Sequence, residues 1–214
     1  MKKSVLFPAV LALSLSGLAA SAQAGNAVAD VDVHVSTLGG GLAVAFPATN
    51  TVDARVGFNT FHRNFTKTTT NANGTVNNDA SVNLSTLELL ADWHVFNGIT
   101  HLTAGVMYNN NKVDMNAVGS YVINGTTYNT PLTASIAFNK LAPYLGFGWS
   151  GRAKNTGWSF KSDIGIMYQG SPKATVTAPG VAAADVATQQ ASVNDSLKNF
   201  KYYPVISVGI GYAF

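Results

Sequence analysis

The last stretch of the chain, YYPVISVGIGYAF (202–214), restricts the possible folds most. Counted back at every second position, Phe214, Tyr212, Ile210, Val208 and Ile206 share one face of a strand, whereas Ala213, Gly211, Gly209 and Ser207 share the other. A strand in a water-soluble sandwich turns its large residues inward and its charges outward. Here the second face bears no charge and almost no bulk. Large apolar side chains facing hydrocarbon, with small or polar ones facing the middle of a narrow closed sheet, are what a transmembrane β-barrel requires, because lipid leaves no backbone polar group a partner outside the protein. Taken alone, the stretch also fits an ordinary buried strand, and the rest of the chain has to decide.

Only 11% of residues are charged, against about a quarter in soluble domains. The chain opens with Met1, Lys2 and Lys3, continues with a mostly apolar run (5–20) and reaches a small-x-small end at Ala22, Gln23 and Ala24. This predicts a secretory signal peptide over 1–24, cleaved before Gly25, and one exported domain over 25–214. The apolar run is short for a membrane span and is broken by Pro8. Without Lys2 and Lys3 the basic residues fall from 13 to 11 (13 − 2), against 10 acidic ones, so the mature chain is near neutral. Nucleic acid is not expected as a partner. No later segment suits a membrane helix, so passage through a membrane is expected by strands. The absence of cysteine excludes a disulfide framework and a thiolate site.

Alternation recurs along the chain. Val31, Val33 and Val35 oppose Asp30, Asp32 and His34, and after Gly39, Gly40 and Gly41 the outward face resumes with Leu42, Val44 and Phe46. Two short strands joined by a glycine turn are expected, with one continuous strand as the competing reading. The third strand, from Val52 to about Arg63, places Val52, Ala54, Val56 and Phe58 outward and Asp53, Arg55, Gly57 and Asn59 inward. Phe61 is off phase, either pointing inward or following a bulge. The fourth strand (81–95) turns Leu87, Leu89, Ala91, Trp93 and Val95 outward and Glu88, Asp92 and His94 inward. The fifth (101–113) turns Leu102, Ala104, Val106 and Tyr108 outward. In the sixth (134–149), Leu141, Leu145, Phe147 and Trp149 face out and Lys140 and Tyr144 face in. Pro143 is an obstacle there, since a closed sheet has no edge that tolerates a missing N–H. The seventh (157–169) carries Trp158, Phe160, Ile164, Ile166 and Tyr168 outward and Lys161, Asp163 and Met167 inward.

The polar stretches 66–80, 114–133 and 170–200 read as loops. The second contains the Asn124-Gly125 signal of a two-residue hairpin. In the third, Val186, Val193, Leu197 and Phe200 have helical spacing, predicting a short helix over about 181–199. It either covers the external mouth as a lid or stands solvated.

Three features then agree. A barrel of this type has an even number of strands, and a split at the glycines makes eight. The short connections (47–51, 96–100, 150–156) share one rim, and the long ones share the other. Aromatic residues sort into two outward belts: Phe46, Trp93, Trp149, Trp158 and Phe214 at the rim of short turns, and Tyr108, Tyr168 and Tyr202 at the rim of long loops. The expected fold is all-β: an eight-stranded antiparallel up-and-down transmembrane β-barrel with a short helix in the last external loop.

Several phrases carry a family resemblance: TLGGGLAV (37–44), MYNNNKVD (107–114), APYLGFGW (142–149) and WSFKSDIGIMYQGSPKATVT (158–177). They resemble small Gram-negative outer-membrane barrels, distantly the carbapenem-resistance-associated outer-membrane proteins described as ornithine uptake channels. A closing strand ending in Phe214 likewise resembles the last strand of Gram-negative outer-membrane proteins. The resemblance implies an outer-membrane location and small-solute transport. It also implies contact with outer-membrane lipids and lipopolysaccharide, and handling of the last strand by the barrel assembly machinery. A monomer is expected.

Eight strands enclose a space that side chains just fill. The inward positions include Asp32, His34, Asp53, Arg55, Glu88, Asp92, His94, Lys140, Lys161 and Asp163, with acid in excess. Unpaired charge is costly in a dry interior, so Arg55 is expected to pair with Glu88 or Asp92, and Lys161 and Lys140 with carboxylates such as Asp163. Such a network either plugs the barrel or lines a narrow gated path for small cationic solutes. His34 and Ser36 resemble the His/Ser pair of lipid A deacylases, but those enzymes place the pair at the lipid boundary and here it faces inward. No catalytic residue, metal ligand or cofactor is expected, and the four histidines read as wall or rim residues.

Overall fold

The computed structural model describes residues 29–71, 74–95, 98–151, 153 and 155–214, and the proposed signal peptide (1–24) lies outside them. In chain order the strands are β1 (Asp30–Ser36), β2 (Gly39–Pro47), β3 (Val52–Asn71), β4 (Gly74–His94), β5 (Thr100–Asn109), β6 (Lys112–Gly119), β7 (Tyr121–Ile123), β8 (Thr126–Tyr128), β9 (Leu132–Ala137), β10 (Leu141–Trp149), β11 (Gly157–Tyr168), β12 (Lys173–Thr177) and β13 (Tyr202–Ala213). One helix, α1 (Ala183–Leu197), lies between β12 and β13. No described helix is long and apolar enough to cross a membrane, which says nothing about strands.

The sheet closes on itself. Antiparallel pairings run β1–β2–β3–β4–β5–β10–β11–β13 and return to β1, where Val33 stands opposite Ile210 and Ser36 opposite Ser207. Closure satisfies the edges that an open sheet would expose. Burial alternates around the ring: along β10 it changes with every residue, and along β13 the side chains of Ile206, Val208, Ile210, Tyr212 and Phe214 are exposed. The chain turns at Thr37 and Leu38, so two strands form as expected, but the three glycines lie in β2 and not in the turn itself.

Thirteen strands form among the described residues, more than the eight expected. The difference lies in the stretches read as loops. β3 and β4 continue as a hairpin far past the ring, and β6, β9 and β12 pair onto β4 in turn to make an extension at the rim opposite the short turns. The outer parts of β3 and β4 are polar on both faces, so no apolar period marks them, and in β6, β9 and β12 an apolar alternation is present but spans only two or three residues per face. Threonine is nonetheless a good strand residue. Cross-strand side-chain bonds follow the ladder: Thr66 donates to Asp79 (2.7 Å), Thr68 donates to Asn77 (2.8 Å), and the Thr70 and Thr75 hydroxyls pair (3.1 Å). Phe61 is not at a bulge; β3 and β4 stay in register through it, and it lies just where β3 runs past the end of β2. The Asn124-Gly125 hairpin forms as expected, with φ of 50° and 82°, and joins β7 to β8.

Pro143 fits because the ladder is one-sided where it sits. Asn109 N–H donates to Lys140 C=O, which puts alternate residues from Lys140 in hydrogen-bonded register with β5 and leaves Pro143 between them; on the other flank, pairing with β11 begins only at Tyr144.

Helix α1 contains no buried residue and packs along β12, outside the ring. β12 is the last strand of the extension and exposes a free edge. Asn194 Oδ1 accepts from Ala174 N–H (2.8 Å) and Gln190 Oε1 from Val176 N–H (3.0 Å), so two side-chain amides stand in for a neighbouring strand. Val186, Val193 and Leu197 lie half-buried on this side, but Phe200 falls beyond the helix and is exposed. At the other end, Tyr128 (2.6 Å) and Asn124 (2.8 Å) donate to Asp185, holding its carboxyl below the usual range and tying α1 to the β7–β8 hairpin. Replacing Gln190 and Asn194 together by Ala should release the helix, at about 1 kcal/mol per lost bond. Limited proteolysis within 178–200 is then expected to accelerate by roughly tenfold or more. Unchanged cleavage would show that apolar packing alone holds α1.

Candidate functional site: the charged interior

The interior of the ring is built in two layers. Towards the short-turn rim, inward positions of the strands carry charge. Arg55 on β3 reaches across the ring to β11, donating from Nη1 to Asp163 Oδ2 (3.0 Å) and from Nη2 to Asp163 Oδ1 (3.3 Å), and it also donates to Asp92 Oδ1 on β4 (3.1 Å). Two further groups complete the carboxylates: Thr103 Oγ1 donates to Asp92 (2.7 Å), and His101 Nε2 lies 3.0 Å from Asp163. A second group joins β11 to β1, with Lys161 Nζ 2.5 Å from Asp30 and 3.2 Å from Asp32. A third links His94 to Asp53 (3.1 Å), whose carboxylate also accepts the N–H of Ala153 from the turn below (3.0 Å). Glu88 accepts from Asn59 Nδ2, and Asn59 Oδ1 lies 2.8 Å from His34 Nε2. All of these carboxylates, with Arg55 and Lys161, are buried.

Towards the extension the interior turns apolar. Leu38, Leu90, Met107, Ala142, Tyr144, Met167 and Val205 form one buried cluster. Leu38 comes from the β1–β2 turn and is wholly buried. The Tyr203 hydroxyl donates to Thr37 C=O (2.6 Å) and Ser36 Oγ accepts from Leu38 N–H (3.1 Å), holding the turn over the ring. The Tyr144 ring lies across Gly146 and Gly165, where an added Cβ would approach its hydroxyl to 2.5 and 2.3 Å; the two glycines are the space it occupies. Between the layers a cavity of about 20 Å3 touches Arg55, Glu88 and Tyr144, room for roughly one water molecule.

The structure thus gathers Asp32, Asp53, Arg55, Glu88, Asp92, His94, Lys161 and Asp163 in the interior and pairs Arg55 with Asp92. Two details differ from expectation. Asp163 serves Arg55, not lysine, and Lys161 turns instead to Asp30 and Asp32. Lys140 is not in the interior: it sits in the break between β9 and β10, where alternation is interrupted, and its exposed side chain bonds Asn110 and lies over the Tyr108 ring at 5.8 Å. Of the wall and rim alternatives, His101 takes the wall: it is a buried partner on β5, with the inward parity of Thr103. Asn59 and Asp30 also had inward parity, but nothing local announced their bonds.

His34 and Ser36 do not engage each other. Both bond Asn59 Oδ1, and His34 Nδ1 lies 2.7 Å from Asp32. Atoms of Asp92, His101 and Asp163 lie within 4.8 Å of one another, close enough for a cation. The Arg55 guanidinium already binds both carboxylates and takes the place such an ion would fill.

The outward aromatics are all exposed: Phe46, Trp93, Trp149, Trp158, Phe214, Tyr108, Tyr168 and Tyr202, with Trp158 at 77%. Neighbours pair across strands, Trp158 with Tyr212 at 5.2 Å and Tyr168 with Tyr202 at 5.3 Å between ring centroids.

Fold and interior together define the class: an all-β, antiparallel, ring-closed barrel with an apolar outside and an ionic inside. Two solved structures share this fold. The chain resembles Acinetobacter baumannii CarO2 at 20% identity over 89% of this chain and 100% of that one (TM-score 0.58), and Acinetobacter baumannii CarO at 20% identity over 88% and 98% (TM-score 0.54). The distant resemblance drawn from the sequence phrases therefore has a counterpart in three dimensions. No known family profile matches the chain, and no curated protein sequence does.

Proposed function

We propose that the protein is an integral outer-membrane barrel of the Gram-negative envelope, exported by residues 1–24, without enzymatic activity. Its ring crosses the lipid as an eight-stranded up-and-down wall. The observation that carries this reading is the inversion of burial: Leu141, Leu145, Trp158 and Phe160 are each at least 65% exposed, while Arg55, Lys161, Asp92 and Asp163 are buried. In water so much contiguous apolar surface would drive association; against hydrocarbon it is matched. The rim holding Trp93, Trp149 and Trp158 is then periplasmic, and the extension is external. The partners implied are outer-membrane lipids and lipopolysaccharide, with the assembly machinery acting on β13, and the protein works as a monomer. The test is to refold it into vesicles containing brominated lipid, where the tryptophans should be quenched. Unquenched emission from folded protein would remove the membrane reading.

The cavity between the two interior layers holds about one water, which supports a sealed barrel in this conformation. One observation favours a second reading, a gated path for small cationic solutes: among the described residues Asp30, Asp32, Glu88, Asp92 and Asp163 are buried with Arg55 and Lys161 as the buried permanent cations. Planar-bilayer recording separates the two. A sealed barrel stays silent, whereas a gated path opens in brief cation-selective steps.

A further inference from the structure

The outward face of the extension carries a furrow of about 540 Å3. Asn64, Ser81, Asp114, Ser135 and Thr175 stand in register across β3, β4, β6, β9 and β12 and form its near bank. Two residues further from the ring, a parallel row from Thr66 through Asp79 to Thr177 forms the far bank. Ser81 and Asp79 keep the parity of Leu87 and Leu89, so the furrow continues the apolar wall on the same side of the sheet. Its floor is backbone already paired within the sheet, which leaves no free edge for a peptide strand to join. Its banks offer hydroxyls, amides and carboxylates but no cation, a lining suited to sugar hydroxyls and not to phosphate.

Cations come one row nearer the ring. Lys112 on β6 and Lys173 on β12 flank Ala137 on β9 and are exposed, about 10 Å apart at two strand spacings; Lys112 Nζ lies 2.8 Å from Asp114 on the near bank, a contact that a phosphate would share or displace. Lys140 lies over Tyr108 just below, and Leu141 and Leu145 continue the wall into the apolar belt. From the ring outward the order is apolar, aromatic, cationic, then hydroxyl-lined. We infer that this strip binds a phosphorylated glycolipid of the outer leaflet: acyl chains against Leu141 and Leu145, phosphate at Lys112 and Lys173, and saccharide in the furrow. The inference rests on the membrane reading and adds a site and a ligand chemistry to it.

The test titrates purified, folded protein in detergent with lipid A carrying core oligosaccharide, with its dephosphorylated form, with the free oligosaccharide and with phosphatidylglycerol. Wild type should prefer the phosphorylated glycolipid to phosphatidylglycerol by roughly tenfold or more. The double variant Lys112→Ala, Lys173→Ala should lose the preference for the phosphorylated form. Ser135→Trp, which fills the furrow, should abolish binding of the free oligosaccharide and weaken the glycolipid by roughly tenfold; Thr133→Tyr serves if the first does not fold. Free oligosaccharide binding as tightly as the glycolipid would make the ligand a soluble sugar and overturn the lipid part. Phosphatidylglycerol binding as tightly would overturn the sugar part. Protein that inserts into vesicles but whose variants bind like wild type sinks this inference alone, whereas failure to insert sinks the membrane reading beneath it.

Discussion

Arg55→Met is expected to cost about 3–5 kcal/mol of stability, because it leaves two buried carboxylates facing each other without a counter-charge. The guanidinium joins β3 to β4 and, across the ring, to β11, through contacts of 3.0–3.3 Å to Asp163 and 3.1 Å to Asp92. Its loss should appear as a lower urea midpoint for unfolding from micelles or vesicles. Adding Asp92→Asn and Asp163→Asn to the same chain should recover most of the loss, since removing a whole buried ionic group is far cheaper than removing one partner. A single Arg55→Met variant within about 1 kcal/mol of wild type would mean that water reaches the network and screens it.

The second large effect concerns the apolar layer. Truncating Leu38, Met107 and Met167 together to Ala should turn a silent barrel into a conducting one. These are among the largest wholly buried side chains, and with Tyr144 they close the interior on the side of the extension. Once they are removed, the carboxylates below face open water, and their excess over Arg55 and Lys161 among the described residues should make the current cation-selective. Core truncations of this kind cost about 2–5 kcal/mol each when the cavity stays dry; water entering the widened interior should reduce that. Planar-bilayer recording reads the outcome. Folded triple variant without current would assign the seal to the ionic layer, and Arg55 would become the residue to remove next.

Most of the wall was legible in the sequence. On β11 and β13 most alternate residues are large and apolar, Ser162 excepted, and most of those between are small, polar or charged, with Met167, Tyr203 and Val205 the exceptions, so facing direction is recorded along the strand by a period of two. The same parity placed eight aromatic residues outward and most of the interior charge inward before any tertiary contact was known. Parity fails where the chain leaves a strand: Lys140 sits in the gap before β10 and turns outward, and Leu38, in a turn with no parity at all, closes the interior.

Pairing across the ring was beyond reach. Arg55 and Asp163 are 108 residues apart, and their meeting depends on how the strands stagger around the closed sheet, which no single strand encodes. The extension was hard to read for a related reason: the outer parts of β3 and β4 carry Thr, Asn and Ser on both faces, and the apolar alternation of β6, β9 and β12 is too short to stand out from a loop. What the sequence by itself determined is therefore the direction each wall residue faces, a property local to one strand. Only the tertiary structure decided which inward charges are partners and that polar segments continue as strands, because closure, stagger and strand addition are properties of the whole sheet.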